Sequence, residues 1–180
     1  MKIHYIHQYF KTPEEGGGTR SYHLAKGLVN AGIEVEMITS HEQDEYDFKL
    51  IDGIKVHYLP VGYQQHFGFV RRVWAFLAFV RLAKKLITKL PRPDYFYITS
   101  TPLTTGRIGI WAKKRFAVPY IFEVRDLWPD APVQVGVINN PLLKKFLFRL
   151  ERKIYRHALK IVALSPGIAN VIRQRCPDCK

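Results

Sequence analysis

The alternation of strand-like and helix-like segments along all 180 residues most strongly constrains the fold of this chain. Short apolar runs bounded by turn residues alternate with amphipathic stretches, as expected of a parallel sheet covered by helices. Strands are predicted at 3–9, 33–39, 54–59, 94–99, 119–124 and 160–164, helices at 19–29, 68–90, 101–116, 140–158 and from 165, and loops at 40–47 and 125–138. The pattern predicts one α/β domain with a doubly wound, mainly parallel sheet that binds ligands at the carboxyl ends of its strands.

The charge balance requires an electropositive face, because 28 Lys and Arg oppose 15 Asp and Glu for a net charge of +13. Nucleic acid, an anionic bilayer and phosphorylated substrates would all be attracted to such a face. The sequence shows no helix-turn-helix, zinc-finger or RNA-recognition motif, so nucleic acid is not the expected partner.

Both cysteines, Cys176 and Cys179, lie in the last five residues. They provide no disulfide framework, which favours a reducing compartment, and one pair is too few for a tetrahedral zinc site. The first residues read as a strand and not as a signal peptide. The longest apolar run, residues 73–80, is far shorter than the roughly 20 residues of a spanning helix. We therefore expect a cytoplasmic protein without a metal or other cofactor.

A glycine loop follows the first predicted strand and consists of Gly16, Gly17 and Gly18. Backbone N–H groups at this position, together with the positive end of the next helix, favour an anion. Arg20 in the first helical turn is able to hold a phosphate, and His7 lies just upstream. The loop matches neither the dinucleotide nor the ATP-binding glycine pattern. It is either a phosphate cradle or a flexible turn.

A second cluster of polar residues follows the predicted strand at 119–124 and contains Glu123, Arg125, Asp126, Trp128 and Asp130. A carboxylate there could take a proton from an acceptor hydroxyl or bind a sugar, and the indole offers a flat face to a sugar ring. The alternative is an ordinary ion-paired turn. If both clusters lie at strand carboxyl ends, we expect them to converge on one cleft.

The predicted helix at 68–90 is both aromatic and basic. This composition fits a helix in the headgroup region of a membrane, although a helix that simply covers the sheet is the alternative. The stretch 144–160 is also basic and contains interleaved aromatic residues. On the first helix, the residues expected at an anionic membrane surface are Arg71, Arg72, Trp74, Phe76, Arg81, Lys84 and Lys85.

The glycine loop with His7 and Arg20, together with the segment Glu123-Val124-Arg125-Asp126-Leu127-Trp128-Pro129, resembles family-4 glycosyltransferases. The likeness extends over essentially the whole chain, and the nearest subgroup resembles fucosamine transferases of bacterial surface-polysaccharide (O-antigen or capsule) biosynthesis. The resemblance implies one Rossmann-like half of a two-domain GT-B fold. Residues 1–180 would be the acceptor-side domain, and the donor-binding domain would be absent from this chain.

By the same resemblance, the enzyme is a retaining transferase that moves a hexosyl or N-acetylaminosugar unit from a nucleotide-diphosphate sugar to a lipid-pyrophosphate-linked saccharide at the inner face of the cytoplasmic membrane. No metal requirement is implied, and the isolated domain is expected to be inactive. Candidate catalytic residues are Asp126, Arg125 and Glu123. Candidate substrate-binding residues are His7, Gly16, Gly17, Gly18, Arg20, Trp128 and Ser165. The alternative to an enzyme is a non-catalytic basic module that binds phosphate, sugar or nucleic acid.

Overall fold

The alternating pattern folds into a mainly parallel sheet flanked by helices. This computed structural model describes residues 1–63 and 67–179. In that part of the chain the strands are β1 (Lys2–Ile6), β2 (Glu34–His41), β3 (Asp47–Ile51), β4 (Ile54–Pro60), β5 (Tyr95–Thr99), β6 (Tyr120–Val124) and β7 (Lys160–Ala163). The helices are α1 (Arg20–Asn30), α2 (Phe69–Ile87), α3 (Gly106–Phe116), α4 (Asp130–Gln134), α5 (Pro141–His157) and α6 (Pro166–Arg175), with a 3₁₀ turn at Leu103–Thr105. The predicted α/β, Rossmann-like fold class is confirmed.

The strand order of the sheet is β3-β4-β2-β1-β5-β6-β7. Parallel pairing joins β1 to β2, β2 to β4 and β6 to β7, whereas β3 runs antiparallel to β4 at the edge. Without β3, the order is that of a doubly wound sheet. Successive strands are first added on one side of β1, as β2 and β4, and then on its other side, as β5, β6 and β7. The loop that follows β1 therefore begins where such sheets bind ligands.

Two elements were not predicted. The strand β3 lies at the end of the acidic loop and forms a hairpin with β4 through Asp52 and Gly53, which have φ angles of +48° and +80°. An Asp-Gly pair is a strong hairpin signal, and it was the available clue. The helix α4 spans only five residues, too few for an apolar periodicity to be visible.

The start of α3 also differs from the prediction. A helix was expected from residue 101, but a 3₁₀ turn comes first and α3 begins at Gly106. The hydroxyl of Thr105 donates to the carbonyl oxygens of Thr99 (2.6 Å) and Pro102 (2.8 Å), which stabilises this turn. The predicted caps of the last two helices are confirmed, because Asn140 accepts from two amides of α5 and Ser165 accepts from the amide of Ile168.

The chain divides into two compact units, Met1–Tyr97 and Ile98–Lys180. In the first, a buried cluster that includes Tyr5, Met37 and Val56 packs beneath α1. In the second, α3 lies very close to β6: a Cβ added at Gly109 would be 2.8 Å from the ring of Tyr120. Only glycine at this position permits the observed distance between helix and sheet.

The two cysteines are bonded to each other, so the expectation that they stay reduced is corrected by the Cys176–Cys179 disulfide. Both follow α6, and three residues of sequence separation place their Cα atoms 5.4 Å apart, within bonding reach. Among the described residues, no helix is sufficiently long and apolar to span a bilayer. The same residues contain no group of three or more His, Cys, Asp or Glu side chains arranged to hold a metal ion.

Candidate functional site

The loop after β1 is fastened to the neighbouring strand β2. The amide of His7 donates to the carbonyl of Ile38 at 3.1 Å. The carbonyl of Gln8 accepts from both the amide (3.1 Å) and the hydroxyl (2.8 Å) of Ser40. His7, predicted to bind substrate, is only 3% exposed, so it is buried. The start of the glycine loop therefore has a fixed position at the carboxyl edge of the sheet.

A tight turn precedes the glycines. The amide of Thr12 donates to the Glu15 carboxylate at 2.8 Å, and the amide of Gly16 donates to the carbonyl of Pro13 at 3.4 Å. Gly16 and Gly17 have φ angles of +69° and +88°, in the left-handed region that residues with a side chain rarely adopt. The glycines are needed for this turn, and they leave its backbone uncovered.

Cations stand on both sides of the exposed glycines. On one side, a Cβ placed on Gly17 would lie 4.0 Å from Cγ of Lys11. On the other side, the exposed Arg20 begins α1, whose first turn contains no acidic residue and receives no hydrogen bond from the side chain of its N-cap, Thr19. The turn thus presents exposed backbone between two cations, with the carboxylates of Glu14 and Glu15 on its upstream side. Lys11 was missed in the sequence, although it is the basic residue nearest to the glycines on the upstream side.

The second candidate segment follows β6, in the unit Ile98–Lys180. The carbonyl of Glu123 accepts from the amide of Ser100 at 2.8 Å, and the Ser100 hydroxyl accepts from the amide of Arg125 at 2.9 Å. Glu123 is fully buried and Arg125 is half-buried. These hydrogen bonds fix the path of the backbone as it leaves the sheet.

Asp126 is the exposed carboxylate of this segment. Its Oδ2 accepts from the hydroxyl of Thr101 at 3.2 Å, so a residue that sequence reasoning missed orients it. Trp128 is half-buried two residues later. The arrangement offers an oriented carboxylate and an indole at a strand end, which are suitable for binding sugar hydroxyls and a sugar face.

Asp130, the third carboxylate of the segment, belongs to a structural ion pair. The Arg175 guanidinium donates to both of its oxygens, at 2.5 and 2.6 Å, and contacts Glu151 at 3.3 Å. Burial raises the pKa of the Glu151 carboxyl to about 7, even though the nearby arginine acts in the opposite direction. Ser165 also has a structural contact, as the N-cap of α6.

The membrane-surface residues predicted on α2 separate into two groups. Trp74, Arg81 and Lys85 are exposed on successive turns, together with Val70 and Leu77. These five residues form one face of the helix, which we call the α2 stripe; it is apolar at its beginning and basic at its end. This pattern is that of a helix lying along an interface.

The other residues predicted on α2 make contacts within the protein. Arg72 donates from Nε to the carbonyl of Phe67 at 2.8 Å, and Phe76 stacks on Tyr63 with ring centroids 5.9 Å apart. The Arg71 guanidinium lies over the Phe67 ring at 3.7 Å. Lys84 is half-buried. Because these contacts need no membrane, the α2 stripe is the stronger candidate for a surface contact.

The glycine loop and the Asp126 segment belong to different compact units. Their convergence on one cleft remains a prediction. What the geometry provides is two partial sites, each at the carboxyl ends of strands: an exposed, positively flanked glycine turn and an oriented carboxylate beside an indole.

Solved glycosyltransferase structures are similar to this chain. Sucrose-phosphate synthase from Thermosynechococcus elongatus matches 96% of the chain with a TM-score of 0.69 and 17% identity. Arabidopsis thaliana UGT89C1 complexed with UDP matches 97% with a TM-score of 0.59 and 14% identity. The catalytic domain of Arabidopsis thaliana starch synthase IV, bound to ADP and acarbose, matches 69% with a TM-score of 0.52 and 16% identity. The chain thus has the fold of a GT-B glycosyltransferase domain.

Residues 15–178 match the glycosyl transferase 4-like domain, and the chain belongs to that family. A search of curated protein sequences found no match. The chain spans less than half the length of the structures it resembles, 44% of the sucrose-phosphate synthase and 46% of UGT89C1.

Proposed function

We propose that this chain is the acceptor-side domain of a retaining glycosyltransferase that moves a sugar from a nucleotide-diphosphate sugar to a lipid-linked saccharide in bacterial surface-polysaccharide biosynthesis. One observation carries the proposal: the exposed backbone of Gly16 and Gly17, at the carboxyl end of β1, between Lys11 and Arg20. Exposed glycine backbone with a cation on either side, just before the start of a helix, suits the diphosphate of such a donor.

The reaction breaks the bond between the sugar and the diphosphate and forms a bond from the sugar to the oxygen of an acceptor hydroxyl, whose proton would pass to the departing diphosphate. Negative charge develops on the departing diphosphate, and preorganised cations and N–H groups stabilise it more in the transition state than in the ground state. The glycine turn with Lys11 and Arg20 would contribute to this stabilisation. In the second unit, Asp126, held by Thr101, would bind sugar hydroxyls, and Arg125 would add a positive charge beside it.

The bound molecules named for the similar structures support a nucleotide-sugar donor. UGT89C1 has been solved with UDP and with UDP-L-rhamnose, and starch synthase IV with ADP and acarbose. Those ligands belong to those proteins. For this chain they support the class of donor, a nucleoside diphosphate sugar, and leave its base and sugar open.

The proposed acceptor is anchored in a membrane, and two surfaces support this. The first is the α2 stripe. The second is the beginning of α5, where Leu142 and Phe146 are 76% and 58% exposed and alternate with the cations Lys145 and Arg149. Exposed apolar side chains beside cations favour binding to an anionic leaflet. We propose that the protein works as a peripheral protein at the inner face of the cytoplasmic membrane.

The test uses the chain together with any donor-binding domain that accompanies it in the full protein. Nucleoside diphosphate release would be measured with a panel of nucleotide sugars and a membrane extract as acceptor. Arg20→Gln and Asp126→Asn should each lower kcat by about a hundredfold, because each removes a charged group that contacts donor or acceptor in the transition state.

Arg173→Gln, on the exposed face of α6, is the control and should retain full activity. Circular dichroism would show that all three variants fold. If both site variants match the control, the assignment of Arg20 and Asp126 fails; if the intact protein releases no diphosphate from any nucleotide sugar, the enzymatic proposal fails. The alternative of a non-catalytic phosphate- or sugar-binding module would then replace it.

A further inference from the structure

A groove of about 480 Å³ lies within the unit Met1–Tyr97, at the carboxyl ends of β2 and β4. Glu42 and Asp44, which follow β2, form one wall. Pro60 to Gly62 form the floor at the end of β4, and Arg71 and Trp74 of α2 form the other wall. The volume lies within the range of about 300 to 1,000 Å³ that is usual for small-molecule sites. None of the residues assigned above to the donor lines it.

The acidic wall is held in place by contacts of its own loop. The ring Nε2 of His41 donates to the carbonyl of Glu45 at 2.7 Å, which closes the loop that carries Glu42 and Asp44. The floor lies directly against this loop, because a Cβ added at Gly62 would be 4.0 Å from Cα of Glu42. Both carboxylates are therefore presented by a defined turn at the ligand-binding edge of the sheet.

The opposite wall is also preorganised. Phe67 is buried, and the guanidinium of Arg71 lies over its ring at 3.7 Å, which limits the orientations of that side chain. Trp74 is 66% exposed although it lines the groove. A large aromatic side chain in this position offers a flat apolar face to a ligand and, through its indole N–H, one hydrogen-bond donor.

The chemistry of the two walls is that of a saccharide site. Carboxylates accept hydrogen bonds from pairs of sugar hydroxyls, and an indole face packs against the C–H groups of a sugar ring. The groove is lined by two carboxylates and one guanidinium, so its charge is negative on balance, which disfavours phosphate and nucleic acid at this place.

We infer that this groove binds the neutral saccharide portion of the acceptor, through Glu42, Asp44 and Trp74. The inference rests on the proposed function, which it extends by assigning an acceptor site. It also gives Trp74, predicted above to contact a membrane, a role in binding sugar.

The test is a titration of the ¹⁵N-labelled chain with four neutral probes, the methyl glycosides of glucose, galactose, N-acetylglucosamine and N-acetylgalactosamine. The chain has three tryptophans, and Trp74→Phe identifies the indole signal of Trp74. We expect at least one glycoside to shift that signal and to leave in place the Trp111 signal, which Trp111→Phe identifies. Glu42→Gln and Asp44→Asn should each weaken the binding about tenfold, because each removes a hydrogen bond to a charged group.

Glu45→Gln is the matched control, since this exposed carboxylate is on the same loop but outside the groove lining. It should bind the glycosides as the unaltered chain does. If no glycoside shifts the Trp74 signal, or if the groove variants bind like the control, the inference is overturned. The same holds if Trp74→Phe weakens only binding to phosphatidylglycerol vesicles. Diphosphate release by the full protein is measured separately. Saccharide binding without turnover would contradict the proposed transferase function but would still support a saccharide site in the groove.

Discussion

At the scale of single residues, Arg175 of α6 contacts two carboxylates, Asp130 of α4 and Glu151 of α5. This contact joins three helices. Asp130 is partly exposed and receives two hydrogen bonds, whereas Glu151 is buried and receives one longer contact. A bidentate pair in a partly desolvated place is stronger than a surface ion pair. The position of α4, directly after the Asp126 segment, therefore depends on a residue 45 positions away in the sequence.

Arg175→Gln should lower the free energy of unfolding by about 2 kcal/mol, because it leaves two carboxylates without their shared cation. Urea denaturation, monitored by circular dichroism, measures this loss. The control is Arg173→Gln on the same helix, which is exposed and should change stability by less than about 0.5 kcal/mol. Equal stability of the two variants would show that the cluster adds nothing.

Glu151 gives the chain a pH-dependent stability of a predictable sign. The pKa of its carboxyl is raised by burial to about 7 from an ordinary value of 4.5, so between these values the folded state binds a proton that the unfolded state releases. Stability therefore falls as pH rises through this window and levels off above it. Between about pH 5 and about pH 8 this contribution should be on the order of 2 kcal/mol.

The measurement is urea denaturation of the unaltered chain and of Glu151→Gln at both pH values. The variant carries no titratable group at this position, so the difference between the two proteins isolates the glutamate. A difference that stays constant with pH, or one that grows in favour of the unaltered chain at high pH, contradicts the burial argument.

At the scale of elements, α3 packs closely on β6 because residue 109 is a glycine and has no side chain. Gly109→Ala should destabilise the chain by about 1 to 3 kcal/mol, because its Cβ would stand 2.8 Å from the Tyr120 ring and force the helix away. Gly27→Ala on α1 is the matched control, since a Cβ there meets nothing within 4 Å. It should be neutral or slightly stabilising. Thermal unfolding followed by circular dichroism compares the two, and equal midpoints would refute the close contact.

The α2 stripe makes a prediction about membranes. Arg81→Gln combined with Lys85→Gln should weaken binding to phosphatidylglycerol-containing vesicles by about tenfold or more, at about 1 kcal/mol for each cation near an anionic surface. Vesicle co-sedimentation measures the change. The control pair, Lys114→Gln with Arg115→Gln, removes the same charge from α3 and should have a smaller effect. If both pairs weaken binding equally, only net charge matters.

The elements also show what the sequence could reveal. Long periodic segments such as α1, α2 and α5 were predicted to within a few residues, because their burial follows the helical repeat. The strand β3 was not predicted because its residues are exposed or half-buried on both faces, so it has no buried apolar face. In the candidate site, the glycines and Asp126 were found from their types and positions. Thr101 and Lys11 were not, because their contacts depend on the fold: Thr101 reaches Asp126 from 25 positions away.

At the scale of the whole molecule, the chain spans less than half of the structures it resembles. The proposed division of labour, in which another domain grips the nucleotide, predicts that this chain alone releases no diphosphate from nucleotide sugars above the buffer rate. A coupled assay for UDP, ADP and GDP release at high protein concentration measures this. Saccharide binding in the groove should persist in the same sample. Turnover by the chain alone would contradict the proposed division.

The edge strand β3 has a consequence for handling the protein at high concentration. Among residues 1–63 and 67–179 it pairs on one side only, with β4, and it exposes Phe48 and Leu50 beside its other edge. Such an edge is a template on which a second copy could add a strand and start a precipitate. Lys49, in the middle of β3, is one of the charges on this strand, and its ammonium group lies 3.4 Å from the Asp47 carboxylate and 5.4 Å from the centroid of the Tyr58 ring. Acetylation of Lys49 would remove a positive charge from this strand, and a charge on an edge strand is one of the features that oppose edge-to-edge association.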